Sequence, residues 1–183
     1  MKNWAVAILV DALLGWQNPA LATDASSAPD PGLAAQAIAK KQPKVTFVRV
    51  DKSERRMWLM ASDQVIRTFR ISLGRQPVGQ KQMEGDQKTP EGIYKIAWRN
   101  PASVAYRSMA ISYPNKDDRE RARAAGVSPG GNIMIHGQHN GIGWLAPIAQ
   151  LLDWTNGCIA VTNSEMDEII DLVEPGTPIA IHP

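Results

Sequence analysis

The sequence predicts a mostly β domain with one or two helices packed on it. Short runs rich in Val, Ile, Phe, Tyr and Trp recur from residue 45 to the C-terminus, Gly-, Pro- and Asp-containing turns separate them, and only two stretches carry a helical pattern. VTFVRV at 45–50 sets Val45, Phe47 and Arg49 against Thr46, Val48 and Val50. MWLM at 57–60 and VIRTFRISLG at 65–74 follow after polar turns at 51–56 and 61–64, which gives an antiparallel meander. GIYKIAW at 92–98, SMAISYP at 108–114 and NIMIHG at 132–137 read as further strands, and TPIAIHP at 177–183 as the last. The helical candidates are KDDRERARAAG at 116–126, with Gly126 suited to a C′ position, and NSEMDEIIDLV at 163–173, capped at Asn163 or Ser164 with Met166, Ile169, Ile170 and Val173 on its apolar face. The second reads as a packing helix. The first, with its mixed charges, reads as a solvated helix or a lid.

With 183 residues and 44% hydrophobic content, the chain has material for one domain of ordinary size. A formal net charge of +2, with basic residues scattered among acids and no interleaved aromatics, excludes the electrostatic footprint of a nucleic-acid binder. The N-terminus pairs Lys2 with an apolar run over residues 4–14 and an Ala20-Leu21-Ala22 cleavage pattern, so residues 1–22 read as a secretory signal peptide cut after Ala22. Asp11 interrupts the run and argues against a retained transmembrane helix, which needs about 20 apolar residues. A buried N-terminal helix is the alternative. Residues 23–43, rich in Ala, Ser, Pro, Asp and Lys, read as a flexible leader with a loose helical turn near 33–40, and the folded domain is expected to span 44–183. This reading makes the protein secreted and periplasmic, with no stable membrane span once the signal is removed.

Export raises a question about Cys158, the only cysteine in the chain. In an oxidising compartment an odd cysteine suggests intermolecular pairing or a reactive thiol, and a buried inert thiol is the alternative. Gly157 permits backbone angles that a side chain would forbid, and Ile159 and Val161 can anchor the following segment, so the thiol can sit at a rigid bend beside an oxyanion hole. Such a nucleophile needs a base. Of the three histidines, His136 ends an apolar strand 22 residues before Cys158, His139 lies in the Gly- and Asn-rich loop, and His182 is next to the last residue. His136 is the candidate base, a hydrogen-bonded structural histidine being the alternative; Asp153 could orient it or cap a turn. His136, His139 and Cys158 would also meet the three-ligand count of a catalytic zinc. A flexible platform under His139 and the loss of the nucleophile to the metal weigh against that, so no metal is expected.

Three separated motifs carry a family resemblance: IHG at 135–137, TNGCIAV at 155–161 and GDQKTPEGIYKI at 85–96. In this order they resemble the L,D-transpeptidase catalytic domain, the YkuD-like family of cell-wall enzymes, here its Gram-negative murein branch, over roughly residues 45–181. The resemblance implies a β-sandwich, Cys158 as nucleophile, His136 as base, and Gly157 as the tight turn that exposes backbone N–H groups to the oxyanion. Thr155 and Asn156 would shape the site. Asp86, Thr89, Pro90 and Gly92 match the family's turn, read chiefly as scaffold. Gly137, His139, Trp144 and Arg107 are candidate substrate-binding residues, with Trp144 and Trp154 flanking the connecting loop as cleft or core. Two positions depart from the family pattern: Asn156 where many members have His, and Ala160 where many have Arg or Asn. An Arg there suits bidentate carboxylate binding. Arg75, Arg99 or Arg107 could supply the cation instead, or the substrate differs.

The implied chemistry is attack of Cys158 on the amide after the third residue of a peptidoglycan stem peptide, loss of the terminal D-Ala and formation of a thioester. An amine of a second stem would give a 3→3 cross-link, an outer-membrane lipoprotein lysine would give an anchor, and water would make the enzyme a carboxypeptidase or amidase. No cofactor is required. The other readings kept are a non-catalytic peptidoglycan-binding protein and a secreted thiol peptidase of ordinary protein substrates.

Overall fold

The computed structural model describes residues 43–141 and 143–183, so the signal peptide and leader predicted for 1–43 lie almost wholly outside the described residues. Eight strands follow in order: β1 Phe47–Asp51, β2 Arg56–Ala61, β3 Gln64–Arg70, β4 Gly92–Ser103, β5 Tyr106–Ile111, β6 Met134–His136, β7 Ile159–Ala160 and β8 Pro178–His182. Helix α1, Lys116–Ala124, lies between β5 and β6. A 3₁₀ turn, Gly143–Leu145, and the one-turn helix α2, Ala146–Ala149, follow β6; α3, Asn163–Leu172, joins β7 to β8. The mostly β fold expected from the sequence is what forms.

The strands run β3-β2-β1-β8-β4-β5-β6-β7 across the sheet. The meander β1-β2-β3 is antiparallel, but β8 returns parallel to β1, and β7 lies parallel to β6. β4 is the corner. Its residues Gly92–Lys95 pair with β8 and its later residues from Ile96 pair with β5, with register shifts near Trp98 and beyond Asn100. A strand shared in this way carries the chain from one sheet to the next. The chain just past β3 then reaches the far edge, where Ser72 and Ala160 exchange both backbone hydrogen bonds, at 2.9 and 2.8 Å. That closure brings residues 72–75 beside the segment leading into β7.

One core serves both halves. Val48, Val50, Leu59, Phe69 and Ile179 share a buried cluster with Met109, Ile111, Ile135 and Ile159, and α3 lays Met166, Ile169 and Val173 into it. At about 25 cal/mol per Å² of apolar surface, burial of such side chains is the main force behind the fold. The cap of α3 is Thr162, one residue before the predicted position: its extended backbone suits the role, its hydroxyl accepts from the Glu165 N–H, and Glu165 reaches back to the Thr162 N–H at 2.8 Å. Asn163 is engaged elsewhere, accepting from the Gln138 N–H at 2.8 Å. Helix α1 is capped by Asn115 with Asp118, and Gly126 follows its C-cap with φ +69°. Buried Asp118 accepts from the Tyr94 hydroxyl at 3.1 Å, so α1 is tied to β4.

Candidate active site

Cys158 stands one residue before β7, at a bend that the surrounding backbone dictates. Gly157 has φ +122°, and a Cβ there would come within 2.7 Å of the Lys88 carbonyl oxygen. Only glycine meets both conditions. Thr155 completes the bend: its hydroxyl accepts from the Gly157 N–H at 3.1 Å and donates to the Cys158 carbonyl at 2.7 Å, while its own N–H reaches the Leu73 carbonyl at 3.1 Å. The loop that presses on Gly157 is the GDQKTPEG segment. There Asp86 accepts from the N–H groups of Gln82, Met83 and Lys88 and pairs with Lys81 at 2.7 Å, both side chains being over 90% buried. Burial alone would raise the Asp86 pKa, but these hydrogen bonds outweigh it and hold the carboxyl below its usual range. Thr89, fully buried, accepts from the Gly74 N–H at 3.1 Å.

His136 comes from β6, in register with Ala160 of β7. Cys158 lies two residues before Ala160, and its thiol and the imidazole line the same cavity. The imidazole is 8% exposed. Its Nδ1 lies 2.6 Å from the Gly137 carbonyl, which can only accept, so Nδ1 carries the proton and Nε2 keeps a lone pair. Burial lowers the His136 pKa, outweighing the Gly137 hydrogen bond that would raise it. Burial likewise raises the Cys158 thiol, against a backbone hydrogen bond at Met134 and the charge of Lys81 that both favour the thiolate. Both shifts favour the uncharged forms, a thiol and a neutral imidazole. The thiol donates to the Asn132 carbonyl at 3.6 Å.

Both groups line one cavity of about 380 Å³, together with His139, Trp154, Thr155, Asn156 and Arg75. Trp154 meets the His136 ring edge-on at 5.7 Å and the His139 ring at 5.3 Å. Seven of the residues singled out in the sequence (Cys158, His136, Thr155, Asn156, His139, Arg75 and Trp154) therefore converge. Gly137 is buried beneath and acts through its carbonyl. Arg107 and Trp144 are not in the lining: Arg107 is paired with Asp167 of α3 at 2.9 Å, and Trp144 is 76% exposed on the 3₁₀ turn. Asp153 does not orient His136; its carboxylate pairs with Arg55 at 2.8 Å and accepts from the Leu73 N–H at 3.0 Å. Nor does α1 form a wall of the cavity. Sequence reasoning missed Ser103, Val104 and Ala105, which line the cavity from the β4–β5 turn. Their remote position in the chain carries no signal. Among the described residues, no group of three His, Cys, Asp or Glu side chains is gathered to hold a metal ion.

Ala160 is fully buried. It pairs with Ser72, whose hydroxyl donates to the Ala149 carbonyl at 3.1 Å, so the α2 segment lies over this position. The departure from the family pattern is therefore a packed site, with no room for a long cation.

Comparison with known proteins gives a consistent family. Residues 46–181 match the family YkuD, L,D-transpeptidase catalytic domain. The chain is 30% identical over 151 residues to the Escherichia coli K12 protein named "Putative L,D-transpeptidase YafK", covering 75% of this chain and 53% of that protein. It thus spans about half the length of the curated relatives it matches. Among solved structures, the helical cell shape determining protein Pgp2 from Campylobacter jejuni aligns with a TM-score of 0.55 and 23% identity, over 83% of this chain and 55% of that one. Bd1075 from Bdellovibrio bacteriovorus aligns with a TM-score of 0.53 and 23% identity, over 75% and 48%. These two likenesses speak to the fold.

Proposed function

The chain belongs to the L,D-transpeptidase catalytic domain family, and from that premise we propose that it is a periplasmic, cysteine-dependent L,D-transpeptidase acting on peptidoglycan stem peptides through a thioester. The observation that carries this reading is the shared cavity of Cys158 and a buried His136 whose Nδ1–H is held by the Gly137 carbonyl, leaving Nε2 as a base.

The reaction begins from the neutral pair. As the Cys158 sulfur bonds to the amide carbon after the third stem residue, its proton passes to His136 Nε2. The Gly157 N–H is spent on the Thr155 hydroxyl, so it is the Cys158 N–H, which donates to no acceptor among the described residues, that faces the developing oxyanion. Collapse breaks the C–N bond, the imidazolium returns its proton to the leaving D-Ala amine, and a thioester remains. An acceptor amine then attacks, gives its proton to His136, and the thiol is restored. A stem amine yields a 3→3 cross-link and a lipoprotein lysine yields an anchor. Hydrolysis is the second reading: water resolving the same thioester makes the enzyme a carboxypeptidase or an amidase that frees lipoprotein, and the packed Ala160, which removes the usual cation site, favours a substrate unlike the ordinary donor. No cofactor enters either route.

The test is mass spectrometry of muropeptides after incubation of the protein and Cys158→Ala with tetrapeptide stems and lipoprotein-linked sacculi. New dimers or an acyl-enzyme from the intact protein alone establish transpeptidation. Released D-Ala or freed lipoprotein without dimers establishes hydrolysis, and no Cys158-dependent change leaves a binding role.

A further inference from the structure

Arg75 is the one Lys or Arg among the described residues that line the Cys158 cavity, and no Asp or Glu lines it. The other two candidate cations are consumed: Arg99 donates to the Val173 carbonyl at 2.6 Å and pairs with Glu174, and Arg107 pairs with Asp167. Arg75 forms no ion pair with the described residues. Its Nη1 donates to the neutral Asn156 amide oxygen at 2.8 Å, which leaves most of a five-donor fork unspent. Its backbone, by contrast, is fixed. The Arg75 N–H donates to the Thr155 carbonyl at 3.1 Å, Gly74 bridges Thr155, and a Cβ on Gly74 would overlap the Gln87 carbonyl. A rigid strand end thus holds an uncompensated guanidinium beside the segment that presents the nucleophile.

Resting on the function proposed above, we propose that Arg75 binds a carboxylate of the substrate and so sets the enzyme's preference for an anionic peptide. The planar fork matches a carboxylate bidentately, and Asn156, already bonded to it, steadies the approach. A stem peptide offers this chemistry from two sources: the carboxylate of its terminal D-Ala and that of its diamino acid. Because Arg75 is solvent-exposed, the expected effect is at the low end for a hydrogen bond to a charged group, roughly tenfold in Kd.

The experiment is calorimetric titration of the full chain carrying Cys158→Ala with three tetrapeptides: the free acid, the C-terminal amide, and the peptide amidated at the diamino-acid carboxylate. Arg75→Gln is expected to weaken the free acid about tenfold and to leave unchanged the binding of whichever amide has lost the carboxylate that Arg75 reads, with Arg75→Lys in between. That pattern also names the source. Equal weakening of all three peptides, no weakening of any, or no binding of the free acid by the Arg75 protein overturns the proposal. Arg75-dependent binding without Cys158-dependent turnover by the intact protein would instead overturn the catalytic reading and leave Arg75 as a carboxylate binder.

Discussion

The bend that carries Cys158 and the loop that follows His136 are built differently. On the nucleophile side, Thr155, Gly157, Asp86, Lys81 and Thr89 are each less than about a tenth exposed or backbone-fixed, and their polar groups are spent on one another or on main chain. Outside the cavity lining, the loop after His136 presents Trp144, Ile148, Leu151 and Leu152 to solvent, between 60 and 76% exposed. The proposed reaction demands a fixed thiol and base, because an error of about 1 Å in placement can cost 100-fold in rate. It makes no such demand of the exposed loop. The polar knots of the GDQKTPEG loop are accordingly stability elements that hold the chemistry in place.

The largest effect on folding is expected at Lys81. Lys81→Met leaves Asp86 charged and buried without its partner, and loss of one member of a buried pair costs about 3–5 kcal/mol. Urea unfolding checks this. A loss below about 1 kcal/mol would mean that the loop relaxes to solvent and that the nucleophile side is softer than described.

Gly157→Ala follows. The added Cβ must displace the Lys88 carbonyl from a backbone angle that side chains rarely adopt, so the Cys158 bend shifts, and kcat is expected to fall about 100-fold with the protein still folded. Thr155→Val strips the hydroxyl from both ends of the bend and leaves the Gly157 N–H buried without an acceptor, at a cost of about 1–3 kcal/mol. Thr155→Ser should restore most of it. Thermal unfolding and a kcat measurement on the same samples separate stability from placement.

The acidity of the site supplies a subtler comparison. Burial lowers the His136 pKa, so the imidazole is neutral and competent down to pH values below the ordinary imidazole range near 6.5, and kcat/KM should lose its acid limb only beneath that. The same shift has a sign for folding. The unfolded chain protonates this histidine first as pH falls, so its contribution to stability is complete above the unfolded pKa and declines as pH drops through it towards the folded value. Trp154→Ala admits water to the ring and should move the acid limb upward, towards the ordinary value. An unmoved limb would assign the desolvation to the strands instead.

Much of this was legible in the sequence because it rests on local rules. The β-branched runs became strands, and Gly157-Cys158 and the end of the apolar strand at His136 were readable as a bend and a projecting ring. What escaped depends on closure. β7 is two residues long, too short for any periodicity, and exists because β6 and Ser72 flank it. β4 runs on through Asn100 and Pro101, poor strand formers, because β5 pairs with it across bulges. Lys52 lay in a stretch read as a polar turn, yet it is 2% exposed, since Glu91 and the carbonyls of Gly79 and Thr89 gather around its ammonium. Ser103, Val104 and Ala105 reach the cavity from the β4–β5 turn for the same reason.

The smallest effect belongs to the exposed loop, and it is the sharpest check on the contrast. A side chain as exposed as Trp144 or Leu151 has little burial to lose, so Trp144→Ser and Leu151→Ser should each change the folding free energy by less than about 0.5 kcal/mol. Ile159→Ala, a few residues away but fully buried at the base of the nucleophile, should cost about 2–5 kcal/mol. Parallel urea titrations of the three variants decide the matter. If the loop substitutions cost as much as the core one, those apolar side chains are covered in solution, and the loop shares in the stability of the Cys158 bend. If they cost nothing while turnover falls, their exposed surface serves the substrate, and the division between a rigid Cys158 bend and an accommodating exposed loop stands.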